Sequence, residues 1–238
     1  MAGPLALVGG DELHPGNEQH DALLAEAAAA GPAYVIATAA ARHRPELAAA
    51  HAHEWFARFG LDVVELPART KTQARSSDTA ALARDGTFFY LVGGDPGIVP
   101  DVLGGSLVWQ AVVEAWLGGA ALAGSSAGAM AFGQWTLICG RVPGDRERRY
   151  RDALGLVPNV AVLPHFATFG REWVASAWGG RPTNDVVLVG IDERAAAVWS
   201  DGRWRAMGDG GVTVISADGE RAFASGEPID GLPSPIPG

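Results

Sequence analysis

The sequence predicts an α/β fold in which a doubly wound, mostly parallel sheet is sandwiched by helices, with an antiparallel hairpin towards the C-terminus. Three observations carry that prediction. Short apolar runs alternate with longer amphipathic stretches over most of the chain, the pattern of strands buried on both faces beneath crossover helices. The tetrapeptide Val-Gly-Gly-Asp closes two of those runs, at 8–11 and 92–95, where an open parallel sheet presents its carboxyl edge to ligands. After Ile191 the runs shorten and flank an Asp-Gly turn, the chemistry of a hairpin.

In chain order, the strand candidates are 5–8, 34–38, 62–66, 88–92, 120–123, 160–163 and 186–191. The Ala-rich stretch 17–30 ends at Gly31-Pro32, and 45–59 opens on Pro45 and stops at Gly60, so both read as crossover helices. A third helix, 103–117, stops at Gly118-Gly119, and a fourth begins at Ala127. The hairpin pairs 197–199 with 204–206 around Ser200-Asp201-Gly202-Arg203, and 212–215 adds a further strand. These elements make one domain, 1–225. The tail 226–238, with Pro228, Pro233, Pro235 and Pro237, is expected to lack regular structure.

Composition narrows the function. With 238 residues, 48% of them hydrophobic, the chain can bury a substantial core. A net charge of -9 argues against nucleic acid and anionic membranes, whose phosphates are bound by Lys and Arg. No apolar stretch reaches the roughly 20 residues of a membrane span, and the N-terminus lacks a basic n-region, so a cytoplasmic protein is expected. The single cysteine, Cys139, sits in the apolar run 135–139 and is expected in the core. Neither Gly-x-Gly-x-x-Gly nor a phosphate-binding Gly-x-x-x-x-Gly-Lys loop is present, so no nucleotide cofactor is expected. His51 and His53 are two apart on a helix and cannot share a ligand, and no metal is expected.

The chemistry centres on Gly124-Ser125-Ser126-Ala127-Gly128. A strand runs into it and a helical pattern leaves it, which is the setting of a nucleophile elbow. Glycines flank Ser126 because a side chain at either place would strike the neighbouring strand or helix, and the Ala127 amide points where an oxyanion would form. Ser125 is expected to bond only the turn. His165, at the end of the strand 160–163, is the one histidine after the serine and the natural base; His14, His20, His43, His51 and His53 read as loop or helix-surface residues. Asp192 and Glu193 close the strand 186–191, and either can orient the imidazole. The order Ser, acid, His would instead need Asp145, Glu147 or Asp152, in a charged stretch that reads as a solvated loop.

These residues resemble the S51 serine peptidases, the family of aspartyl dipeptidase and cyanophycinase. The resemblance rests on Val8-Gly-Gly10, Leu91-Val-Gly-Gly-Asp95, Gly124-Ser-Ser-Ala-Gly-Ala129, Leu154-Gly-Leu156, Pro164-His-Phe166, Gly190-Ile-Asp-Glu193 and the stretches 198–204 and 208–214. It implies a fold like the class I glutamine amidotransferases (flavodoxin-like), with Ser126 as nucleophile, His165 as base and Glu193 as the orienting acid. The amides of Gly94 and Ala127 would form the oxyanion hole. The chain departs from cyanophycinase relatives at Pro96, where they carry Gln, and by having Arg171 alone where they carry several arginines. A small peptide, Asp-containing or isoaspartyl, is therefore the expected substrate rather than the polymer. Asp95 and Arg171 are candidate substrate-binding residues, with Arg141, Arg69, Lys71 and Arg75 as further cations for an aspartyl carboxylate. An esterase on the same serine, or a non-catalytic sensor with a vestigial elbow, are the alternatives. Trp173 and Trp178 share a predicted helix and read as core, with a homodimer face as the other reading.

Overall fold

The computed structural model describes residues 1–28, 30–139 and 148–235. The first half alternates strand and helix: β1 (Leu5–Val8), α1 (Glu18–Ala27), β2 (Ala33–Ile36), α2 (Pro45–Ala57), β3 (Val63–Glu65), α3 (Lys71–Ala74), α4 (Ser77–Arg84) and β4 (Phe88–Leu91). Then come α5 (Ile98–Leu103), α6 (Leu107–Leu117), β5 (Ala121–Ser125) and α7 (Ala127–Phe132). The second half is mostly strand: β6 (Gly133–Cys139), β7 (Arg148–Asp152), β8 (Val157–Leu163), α8 (Val174–Gly179), β9 (Val187–Ile191), β10 (Ala195–Ser200), β11 (Arg203–Gly208), β12 (Val212–Ser216), β13 (Gly219–Phe223) and β14 (Pro228–Ile229).

The α/β class and the parallel core are as expected, but the described strands divide between two sheets. The first runs β14-β11-β10-β1-β5-β4-β2-β3, parallel from β1 to β3 and antiparallel from β1 to β14. The second runs β13-β12-β9-β8-β6-β7. The chain leaves the first sheet at β5, enters the second through α7, and returns between β9 and β10. Apolar runs buried on both faces look alike in either sheet, which is why pattern reading placed them in one.

Two cores flank the first sheet. Along β1, Ala6 and Val8 pack with α1 and α2 through Leu24, Trp55 and Phe56, while Leu5 and Leu7 join the larger core. That core holds Trp109 and Trp116 of α6, all of α7 except Gly128, and Val160 to Leu163 of β8, so α7 is wedged between the sheets. Trp173 and Trp178 are partly buried against the same core.

Local chemistry accounts for most boundaries. The hairpin turn at Asp201-Gly202 has φ 51 and 77°, the left-handed pair an Asp-Gly turn favours. The helix expected from Leu103 begins instead at Leu107, where the Ser106 hydroxyl accepts from the Trp109 amide; Leu103 ends the preceding α5. Cys139 is exposed, because it is the last residue of β6 and outruns the packed part of the strand. The described part of that charged stretch, Arg148–Asp152, is the edge strand β7 and not a loop. Pro228 and Ile229, in the Pro-rich tail, pair with Arg205 and Trp204 at the sheet edge, where a residue without an amide proton is tolerated. Arg141, Asp145, Glu147 and Pro237 lie outside the described residues. Among the described residues, no helix is long and apolar enough to cross a membrane.

Candidate active site

Ser126 stands between β5 and α7 with φ 50° and ψ -112°, a sparsely populated conformation that costs about 1–3 kcal/mol. Two hydrogen bonds and the burial of the helix that follows hold it there: its amide donates to the Val8 carbonyl at 3.0 Å, and its carbonyl accepts from the Met130 amide at 2.9 Å. The flanking glycines have the expected steric reason. A β-carbon on Gly124 would lie 2.6 Å from the carbonyl carbon of Gly128, and one on Gly128 would overlap the carbonyl oxygen of Leu91 on β4.

His165 follows β8 of the second sheet, yet its amide donates to the Gly9 carbonyl of the first at 2.7 Å. Its φ is 51°, and its ring occupies the space a Gly10 side chain would take, so the missing side chain makes room for it. Phe169 stacks on the same ring, ring centres 4.8 Å apart. Nε2 is 3.1 Å from Ser126 Oγ and Nδ1 is 2.7 Å from Glu193 Oε1. Proton placement follows from those partners: a carboxylate can only accept, so Nδ1 carries the hydrogen and Nε2 faces the serine hydroxyl.

The choice between the two acids is geometric. Glu193 sits in the tight turn returning the chain to the first sheet, where Arg194 donates its amide to the Gly10 carbonyl at 3.0 Å, and its side chain meets His165. Asp192 points the other way and accepts from the amides of Ala167 and Gly211, both at 3.0 Å, so it ties the histidine loop to the turn before β12.

The second Gly-Gly turn lies across Ser126 from the first. A β-carbon on Gly93 would approach Ser126 Cβ at 3.3 Å; Gly94, with φ 146°, is exposed. Gly93, just before Gly94, thus approaches the serine from the loop after β4, and Ala127 follows it as the first residue of α7. Asp95 turns back on its own loop, accepting from the Gly97 amide at 2.8 Å, with Arg42 at 3.9 Å. Arg171 is paired with Glu220 at 2.6 Å and lies over the Phe166 ring. Arg69 is bound to Glu65. Lys71 and Arg75 are exposed around α3. A hollow of about 260 Å³ lined by Asp11, Glu12, His14, His51 and Gly93 opens beside the site. A larger one of about 470 Å³, near Arg84 and Glu114, is at the opposite, amino edge of the strands.

Two features were not read from the sequence. Glu12 accepts from the Gly93 amide at 2.8 Å and from the Ser125 hydroxyl at 2.9 Å; Ser125 therefore bonds across to another loop rather than within its own turn. A carboxylate two residues beyond the end of the β1 glycines, on the edge already marked by Ser126, was the available signal. His20 is fully buried rather than on the surface, beside the equally buried Asp21, which accepts from Trp55 Nε1 at 2.7 Å. Burial drives His20 down to about 4 and Asp21 up to about 8, so both are neutral near pH 7. Among the described residues, no group of three or more His, Cys, Asp or Glu is placed to hold a metal ion.

Comparison with known proteins adds to the geometry. The family model Peptidase family S51 matches residues 5–206. Cyanophycinases of Synechococcus elongatus and of Thermosynechococcus vestitus are each 30% identical over 170 residues, covering 68% of this chain; the chain spans about half their length, 52%. Among solved structures, a peptidase from an acI-B1 Actinobacterium superposes with TM-score 0.84 at 30% identity, covering 96% of this chain and 97% of its own. A putative peptidase E protein from Listeria monocytogenes EGD-e gives TM-score 0.62 at 16% identity, covering 88% of this chain and 100% of its own, a likeness of fold.

Proposed function

The chain belongs to peptidase family S51, and on that premise we propose that it is a serine peptidase of small peptides, with Asp-containing or isoaspartyl dipeptides as the substrate class. The observation that carries the reading is the unbroken line from Ser126 Oγ to His165 Nε2 at 3.1 Å and from His165 Nδ1 to Glu193 at 2.7 Å. Ser126 attacks the scissile carbonyl as His165 takes its proton, and Glu193 keeps the imidazole in the tautomer that can do so. The amides of Gly94 and Ala127 face the oxygen that gains charge. His165 then protonates the leaving amine, and water, activated by the same nitrogen, releases the acyl group from the serine. The exposed second turn supports a substrate lying over Gly94. Arg42, exposed and 3.9 Å from Asp95, supplies a cation at that rim, whereas Arg171 is engaged by Glu220.

A fluorophosphonate probe tests the chemistry: the protein is labelled, and Ser126→Ala is not. Labelling that persists in Ser126→Ala removes the serine from its role. A panel of Asp-X, β-Asp-X and neutral dipeptides with short esters tests the substrate. Ester turnover without turnover of either Asp series overturns the peptide assignment.

A further inference from the structure

Glu12 holds together the two chain segments that the proposed reaction requires to be in register. One oxygen accepts from the Gly93 amide, next to Gly94, and the other from the Ser125 hydroxyl, next to Ser126. Ser125 is fully buried, so its hydroxyl needs a partner, and Glu12 is that partner. The loop presenting Glu12 is built at a conformational cost. Asp11 and Leu13, on either side of it, have φ 53 and 60°. It is tied down from outside: Asn17 donates to the carbonyls of Asp11 and His14, both at 2.9 Å, and Arg194 pairs with Asp11 at 2.6 Å. A strained, anchored loop that ends in a two-point contact with both halves of the site is organised to aim that carboxylate.

We propose that Glu12 is a positioning residue: by bridging the Gly93 amide and the Ser125 hydroxyl, it sets the Gly94 amide at the distance from Ser126 at which an oxyanion can be bound. This rests on the reading of Ser126 and Gly94 given above. Its contribution belongs to the reaction step and not to the first encounter with substrate, because a carbonyl oxygen gains most from an aligned amide when it becomes charged.

The test measures saturation kinetics of fluorophosphonate labelling on the full chain, together with thermal midpoints, for the parent, Glu12→Ala, Glu12→Gln and Glu12→Asp. Glu12→Ala is expected to lower the limiting labelling rate by roughly 10- to 100-fold, short of or at the cost of deleting an oxyanion donor, with half-saturation changed less than about 3-fold. Gln keeps the length and an acceptor for Gly93 and is expected to retain activity within about 3-fold; Asp keeps the charge but is one methylene short and is expected to lose about 10-fold. Should Glu12→Ala not fold, Gln against Asp decides alone. Asp outperforming Gln, or rates that follow the thermal midpoint through the series, overturn the proposal. Glu12→Ala labelling at the parent rate does the same. A parent protein that takes no label instead sinks the serine-peptidase reading itself, so the two failures are distinct.

Discussion

The two Val-Gly-Gly-Asp turns share a sequence and a sheet edge and differ in what occupies their glycines' empty side. At the first, protein fills it: the Asp192 carbonyl abuts Gly9 and the His165 ring abuts Gly10. At the second, Gly94 abuts the Ala39 carbonyl on one side and is exposed on the other, and Gly93 faces Ser126. On the proposed reading, the first turn seats the His165 base, and the second leaves the exposed face of Gly94 open to substrate. A glycine pair marks where backbone must come close; only the neighbours say close to what.

Substitutions separate the two roles. Gly10→Ala should have the largest effect, since a methyl there overlaps the His165 ring and φ is 118°; probe labelling should fall about 10³-fold or more, as when a triad loses its geometry, with a lowered thermal midpoint. Parent-level labelling would show that the ring has another resting place. Gly93→Ala is milder, the added carbon lying 3.1 Å from Glu12 and 3.3 Å from Ser126 Cβ; a rate loss of about 10-fold with a nearly unchanged midpoint is expected. A loss as deep as that of Gly10→Ala would erase the contrast.

The smallest effect on rate, and a large one on pH dependence, is expected beneath the first turn. Asp21, raised to about 8 from 3.8, stays protonated in the fold while the unfolded chain ionises, so it lowers stability progressively as pH rises between those values. His20, lowered to about 4 from 6.5, stays neutral while the unfolded chain takes up a proton, so it lowers stability as pH falls through that window. Asp21→Asn should therefore gain on the parent in urea midpoint from pH 4 to 8, keeping the acid-side decline. Parallel curves would mean that Asp21 is ionised in the fold.

The parts legible in the sequence were those with local causes. The elbow at Ser126 is a steric requirement of five consecutive residues, and the 201–202 turn is set by two. The line to His165 and Glu193 needed position along the chain and family resemblance, because Asp192 and Glu193 differ only in which neighbour each reaches after folding. β7 was missed because Arg148, Arg149 and Arg151 read as solvated charge, although Arg148 lies over the Trp173 ring at 3.8 Å and Arg151 binds Asp101. Glu12 was missed because its partners are 81 and 113 residues away.

The division into two sheets has a mechanical consequence. Ser126 stands where the chain leaves the first sheet and Glu193 where it returns, while His165 belongs to the second and is held to the first through Gly9. The proposed proton path thus crosses the junction between the two sheets, which share one buried core. A slip of one sheet against the other by a fraction of a bond length would stretch both of its hydrogen bonds while leaving each sheet's own ladder intact. On the proposed reading, the rate of probe labelling at Ser126 acts as a gauge of alignment where the sheets meet, and it falls under denaturant or pressure before spectroscopic signs of secondary structure do.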